Sequence, residues 1–270
     1  MRVELKNAML ALKSELVSSH SECGGSGWLT PVVPGKPNPC KCMTVFHYLN
    51  ALLESGIPRD YWWLGLDNLD GVSDLYKKFC HWYIKRLPKA TTHALGVLFL
   101  GANGIGKTSM QCAIGKEAVV QGYKVQYFTA QQYIESRKDE AGYSVEYENA
   151  DVILLDELDK VYIKAKSNFV TKTLEDFFRR KTAEGSSLIV CTNHDEKTLE
   201  EVFGQSTMSM LRRHLKFLNV EGDDYSDTLQ TRWDTIMESN RDYFDACITD
   251  MAQRLMDREQ AEDDNVYQTT

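Results

Sequence analysis

The chain lacks any apolar run long enough to cross a bilayer, so a membrane-spanning role is not expected. It also lacks an apolar signal core in its opening residues. Met1-Arg2-Val3-Glu4-Leu5-Lys6 mixes charge with aliphatic side chains, so the expectation is a cytoplasmic protein. Positive charge is not in excess: the net charge is −8, and any nucleic-acid partner must be met by a local basic lining. No internal repeat is present, which excludes a solenoid or propeller. The seven cysteines are odd in number and not set out as a disulfide framework. Cys80, Cys112, Cys191 and Cys247 fall singly in expected helices and a strand, where they read as small buried hydrophobes.

What is present is an ordinary globular balance, 43% hydrophobic and 26% charged, in 270 residues. That length suffices for one good core and a small appendage. Its most informative stretch is Gly101-Ala102-Asn103-Gly104-Ile105-Gly106-Lys107-Thr108, which fits the P-loop spacing. Gly96–Leu100 before it reads as a buried strand, and Thr108–Gln121 after it as a helix. Glycines let the backbone wrap a polyphosphate with its N–H groups inward, and the helix N-terminus adds to that field. Lys107 suits the β- and γ-phosphates, the Thr108 hydroxyl suits Mg²⁺, and Ser109 completes the cradle.

Downstream, Val152-Ile153-Leu154-Leu155-Asp156-Glu157 has the Walker B pattern. A buried strand ends in two acids, at the strand end where open α/β sheets bind ligands. Asp156 is expected in the Mg²⁺ shell, and Glu157 is expected to polarise the attacking water. Ser187–Thr192 is a second apolar strand, ending at Asn193, a candidate for the γ-phosphate or the lytic water. Arg212 and Arg213, read as a basic turn before the last strand, are candidates for an arginine finger reaching a neighbouring subunit.

Strands are expected at Gly96–Leu100, Lys124–Phe128, Val152–Leu155, Ser187–Thr192 and Phe217–Val220, with helices Ala130–Asp139, Phe169–Glu184 and Glu196–Phe203 between them. This alternation means an α/β fold with a parallel sheet. Upstream, helices are expected over residues 1–20, 44–55 and 73–85, with 87–92 as a connector. Tyr61–Leu66 is too apolar for a free linker and is expected to pack on the nucleotide domain or cup the adenine. Beyond Tyr225 a polar helix runs to about Arg258, followed by an acidic tail. Between the first two helices, His20-x-x-Cys23 and Cys40-x-Cys42 flank a Pro/Gly-rich loop. Two ligand pairs on tight turns suit a tetrahedral Zn²⁺ in a Cys₃His site. Lys160, Tyr162, Lys164, Lys166 and Lys172, with Gln131, Gln132, Tyr133 and Arg137, interleave basic and aromatic groups as single-stranded nucleic acid requires. Such a run is also what a solvated face looks like.

The order of these features resembles the DnaC/DnaI-type helicase loaders of bacteria and phages, in the AAA+ class. The likeness rests on the Cys-Gly-Gly-Ser-Gly-Trp knuckle, Cys-Lys-Cys, Gly-Ile-Pro before an aromatic stretch, the P-loop, Gln126-Tyr127-Phe128-Thr129, Leu154–Leu158, Cys191-Thr192-Asn193 and Val220–Tyr225. It covers about His20 to Tyr225. The resemblance implies an AAA+ ATPase with sheet order 5-1-4-3-2 and ATP, Mg²⁺ and Zn²⁺ as cofactors. It implies residues 1–58 as a zinc-binding, helicase-interacting domain, 59–92 as linker and helix, 93–225 as the ATPase core, and 226–270 as C-terminal helix and tail. Implied partners are a hexameric DnaB-type replicative helicase, single-stranded DNA facing the helix Ala130–Asp139, and further copies of the chain in a ring or spiral. His20 stands where such loaders usually have cysteine. An IstB-type transposition helper shares the core, while a P-loop kinase or a zinc-stabilised adaptor would not need Glu157 to activate water.

Overall fold

The computed structural model describes residues 22–31, 38–62, 64–66, 69, 71–138, 149–163, 168–222 and 224, with Leu10 and Ser14. His20, Lys164, Lys166, Tyr225, the C-terminal helix and tail, and nearly all of the expected first helix lie outside these residues. The chain divides into two compact units between Glu54 and Ser55.

In the first unit, the glycine-rich stretch after Cys23 turns sharply. Gly24 and Gly27 take φ of +57° and +78°, where a side chain would be strained. The chain then doubles back: Leu29 N–H donates to the Asn38 carbonyl at 2.8 Å and Cys40 N–H to the Gly27 carbonyl at 3.0 Å. This pairing returns Cys40 to the neighbourhood of Cys23. Helix α1 (Lys41–Ser55) starts at once, three residues earlier than expected, so Cys42 sits in its first turn.

The second unit opens with a single 3₁₀ turn (Arg59–Tyr61), then α2 (Asp74–Ile84) and α3 (Leu87–Thr92). The expected connector over 87–92 is thus helical. Pro88 falls in the first turn, where its missing N–H costs no hydrogen bond. There follow β1 (Gly96–Leu100), α4 (Lys107–Val120), β2 (Val125–Thr129), α5 (Ala130–Ser136), β3 (Val152–Asp156), α6 (Lys160–Ile163), α7 (Asn168–Glu184), β4 (Ser187–Thr192), α8 (Glu196–His214) and β5 (Leu215–Asn219).

The five strands form one parallel sheet in the order β2-β3-β4-β1-β5, the expected 5-1-4-3-2 read from the other edge. β1, β3 and β4 are buried throughout, as central parallel strands must be. β2 and β5 are edge strands with partly exposed residues. One face packs Leu98, Leu155 and Val190 against Phe177, Phe178 and Phe203, drawn from α7 and α8. On the other face lies α4, where Gly115 admits the Leu154 side chain: a Cβ there would stand 2.4 Å from Leu154 Cδ1.

The Tyr61–Leu66 stretch packs on this domain as expected. Trp62 is buried, its indole N–H donates to the Ile57 carbonyl, and the buried Lys116 of α4 donates to the carbonyls of Trp62 and Leu64. The end of α8 departs from expectation: the helix continues past a kink at Gly204 (φ 73°) to His214, so Arg212 and Arg213 lie in a last helical turn. β5 accordingly begins at Leu215, not Phe217.

Candidate functional site

The loop between β1 and α4 is built as its residue types require. Gly101, Gly104 and Gly106 all take positive φ, and Gly106 is the N-cap of α4. The turn is tightly covered: a Cβ on Gly101 would meet the Ile105 side chain at 2.6 Å, and one on Gly104 the Asp224 carboxylate at 2.1 Å. Lys107 folds back over its own loop, donating to the carbonyl oxygens of Gly101, at 2.8 Å, and Ala102. Its pKa is lowered, chiefly by burial. A phosphate would give that ammonium a better partner than two carbonyls. Asn103, Thr108 and Ser109 line the same cleft.

Parallel pairing places the carboxyl end of β3 beside this loop. The Thr108 hydroxyl donates to Asp156 Oδ2 at 2.9 Å, and the Tyr127 hydroxyl donates to the same oxygen at 3.0 Å. The other oxygen accepts the Glu157 N–H at 2.8 Å. Burial still wins: it raises the Asp156 pKa despite three donors and the nearby Lys107. Burial also raises Glu157, with the Asp156 charge second. A cation bound between two adjacent acids would reverse both shifts by favouring their charged forms. The oxygen donors Thr108 and Asp156 are of the kind that suits Mg²⁺.

Glu157 has φ of +53°, a strained value for a residue with a side chain. Strand alternation would put neighbouring side chains on opposite faces. The left-handed residue ends that alternation, and both carboxylates line one cleft. The turn is held by Leu158 N–H on the Cys191 carbonyl and Lys160 N–H on the Glu157 carbonyl.

Asn193 follows β4 into the same cleft, where its backbone N–H and its Nδ2 donate to the two oxygens of Asp159 at 2.9 and 2.8 Å. The side-chain amide thereby spends one of its two hydrogens, leaving the other and the carbonyl oxygen for a phosphate or a water. Asp159 is buried and escaped the sequence reading, as did the bond of Tyr127 to Asp156, whereas Tyr61 belongs to the aromatic stretch expected near the nucleotide. An acid in a turn and a tyrosine in an edge strand carry no motif of their own. Tyr61 lines the cleft beside Asn103, with burial pushing its phenol up to about 12. Gln111, buried in α4, ties the sheet beneath, donating to the carbonyls of Leu155 and Ile189.

The structure does not bring the arginines to this cleft within one chain. Arg212 is exposed and paired with Glu196 and Glu200, both at 2.7 Å. Arg213 is exposed and has no ion-pair partner among the described residues. Nor does Tyr133 present its ring for stacking: it is buried, 4.7 Å from Phe177 between ring centroids, and its hydroxyl accepts from Arg137. Gln132 is spent on a capping box with Thr129. Of that constellation, Gln132, Tyr133 and Arg137 are thus engaged in the fold.

In the first unit, the thiol sulfurs of Cys23, Cys40 and Cys42 all lie within 4.8 Å of one another, with Cys23 and Cys42 at 3.7 Å. A Zn²⁺ with Zn–S bonds of about 2.3 Å has tetrahedral S···S edges of about 3.8 Å. Gly27 N–H donates to Cys23 Sγ at 3.3 Å, the kind of bond that stabilises a thiolate. Burial pushes the Cys42 thiol up to about 12. The donor set fits zinc; the fourth expected ligand, His20, lies outside the described residues.

A P-loop after β1, paired acids after β3 and a 5-1-4-3-2 parallel sheet define an ATPase of the AAA+ class. The chain belongs to the IstB-like ATP binding protein family, whose profile matches residues 89–232. It is 30% identical over 140 residues to an ATP-binding protein of insertion sequence IS5376 from Geobacillus stearothermophilus. That match spans 48% of this chain and 54% of the relative, about half of each. Among solved structures it resembles the DnaC helicase loader, with TM-score 0.54 and 17% identity over 61% of this chain and 100% of the other. It resembles DnaI to a similar degree, with TM-score 0.52 and 17% identity over 62% and 93%. At such identities the likeness is one of fold.

Proposed function

We propose that this protein is a helicase loader, which hydrolyses ATP while placing a hexameric DnaB-type replicative helicase on single-stranded DNA. The observation that carries this reading is a cysteine knuckle standing ahead of a complete ATPase core. The motor needs only the core; a separately folded, metal-ready segment is what a partner-binding module requires. In this reading residues 1–58 hold Zn²⁺ through His20, Cys23, Cys40 and Cys42 and bind the helicase. Residues 59–92 connect, 93–225 hydrolyse ATP, and 226–270 form a C-terminal helix and tail.

The chemistry follows from the cleft. Backbone N–H groups of residues 101–106 and the start of α4 grip the phosphates, and Lys107 leaves its loop carbonyls for the β- and γ-oxygens. Thr108 and Asp156 would hold Mg²⁺, whose charge offsets that of the phosphates. Glu157 takes a proton from water as the oxygen attacks the γ-phosphorus; the bond to the bridging oxygen breaks, releasing ADP and phosphate. Asp159 holds Asn193 at the cleft, where its side-chain amide can bond the γ-phosphate or that water. In an assembly of copies, Arg212 or Arg213 reaches the neighbour's γ-phosphate. Arg212 must first leave Glu196 and Glu200, exposed pairs that water and salt weaken.

The test is reconstitution with a bacterial hexameric helicase and circular single-stranded DNA. ATP should increase helicase recovered on the DNA. Glu157→Gln should retain ATP and lose hydrolysis by about 10² or more. Absence of a helicase complex with an active ATPase would refute the loader reading. The likeness to an insertion-sequence protein favours a second one, a transposition helper. It would be marked by stimulation of a transposase in the same format.

A further inference from the structure

At the far end of the sheet from the nucleotide cleft, a groove of about 500 Å³ opens beside the first residues of β1 and β5. β1 has five residues, so groove and P-loop are separated by about 16 Å of strand. The floor is apolar: Phe79 and Trp82 of α2, with Leu95. Trp82 is 50% exposed. Cations surround it: Arg86, Lys89, Arg213 and Lys216. Among the described residues no acid lines the groove, in a chain whose net charge is −8. None of these four cations has an ion-pair partner among the described residues. The Arg86 guanidinium lies over the Trp82 ring, 4.7 Å from its centroid, so these two make a short stack, and the Phe79 ring is tilted against Trp82 at 5.8 Å.

We propose that this groove is a binding site for single-stranded nucleic acid. A base stacks on the Arg86 guanidinium that lies over the exposed Trp82, and Lys89 and Lys216 track the flanking phosphates. Duplex is excluded because its base faces are covered. An acidic peptide would use the cations but leave the stack idle. The proposal shares with the loader reading only the premise that single-stranded DNA is a partner. It supplies the contact that the buried Tyr133 does not.

The test uses the full chain, a fluorescent oligothymidylate of about 12 nucleotides and anisotropy across a salt series. The double variant Trp82→Ala/Arg86→Ala should bind about tenfold more weakly or worse, with ATP hydrolysis in the absence of DNA unchanged. Lys89→Gln/Lys216→Gln removes charge without touching the floor. It should lower the slope of log K against log salt by about 1.4, near 0.7 per cation. If wild type binds and both variants bind equally well with the same slope, the groove is not the site and the loader reading stands. If wild type binds no oligonucleotide, the shared premise fails and both readings fall. Poly-glutamate binding as tightly as the oligonucleotide, with the stack variant indifferent to both, would make this a peptide site and overturn the proposal.

Discussion

Asp156 and Glu157 show how one carboxylate pair is divided between two tasks by backbone geometry. Asp156 stays in strand conformation, takes three donors and is buried; Glu157, in the left-handed region, turns into the cleft with fewer restraints. Both pKa values are raised in the folded chain, first by burial. For an acid, a raised folded pKa means stability present below the unfolded value and lost as pH climbs through the folded one. The ligand-free protein is therefore expected to lose stability as these groups ionise. A bound Mg²⁺-nucleotide should restore it, so the rise in Tm on adding Mg²⁺ and a non-hydrolysable ATP analogue should be larger near about pH 7.5 than near about pH 5. The acid limb of kcat/KM, which reports the free enzyme, should likewise lie above the ordinary glutamate range. An acid limb at the ordinary value would mean that Glu157 is not the base. The pair itself was legible in the sequence, because two acids after four apolar residues form a local pattern. Asp159 and Tyr127 were not, because their roles depend on Asn193 and Asp156, residues that only sheet pairing brings near.

Among the elements, β1 carries the tightest packing constraint. Its first residue, Gly96, faces the Leu188 carbonyl so closely that a Cβ would stand 1.8 Å from that oxygen and 2.7 Å from Leu215 Cδ2. Backbone on a neighbouring strand cannot step aside. Gly96→Ala should cost about 3 kcal/mol or more in urea unfolding, the upper part of the overpacking range. Gly122→Ala is the control: its Cβ meets nothing within 4 Å, and only the φ of +85° opposes it, at about 1–2 kcal/mol. Equal losses would mean that strand packing does not govern β1. Helix α8 shows where reading by pattern stops. Gly204 breaks the expected helix, yet the chain resumes helical geometry because Met208 and Leu211 are buried against the sheet. A glycine signals an end locally; the core overrides it. Strands β1, β3 and β4 were read closely because full burial leaves continuous apolar runs. The edge strand β5 was placed late because Lys216 interrupts its start.

For the molecule as a whole, the two units rest on different chemistry. The larger has a continuous aromatic and aliphatic core under a five-stranded sheet. In the smaller, three thiols, Met43 and Phe46 form a cluster too slight to order a glycine-rich turn without a staple. A strong chelator should therefore expose residues 22–43 to protease while the ATPase core keeps its cooperative transition. Metal analysis should find about one zinc per chain before treatment. Unchanged protection after complete metal removal would show that packing alone holds the knuckle.

Residue order alone determined the phosphate loop, the acid pair and the alternation of strand and helix, because each is a local pattern of volume, charge and backbone freedom. The spacing of Cys23, Cys40 and Cys42 likewise announced their convergence. Tertiary structure decided what no local pattern can hold: that Tyr127 and Thr108 share one oxygen of Asp156, that Asp159 grips Asn193, and that Tyr133 belongs to the core. It also gathered Trp82, Arg86 and Lys216 into one groove. Those residues come from segments more than a hundred positions apart, and only the register of parallel strands makes them neighbours.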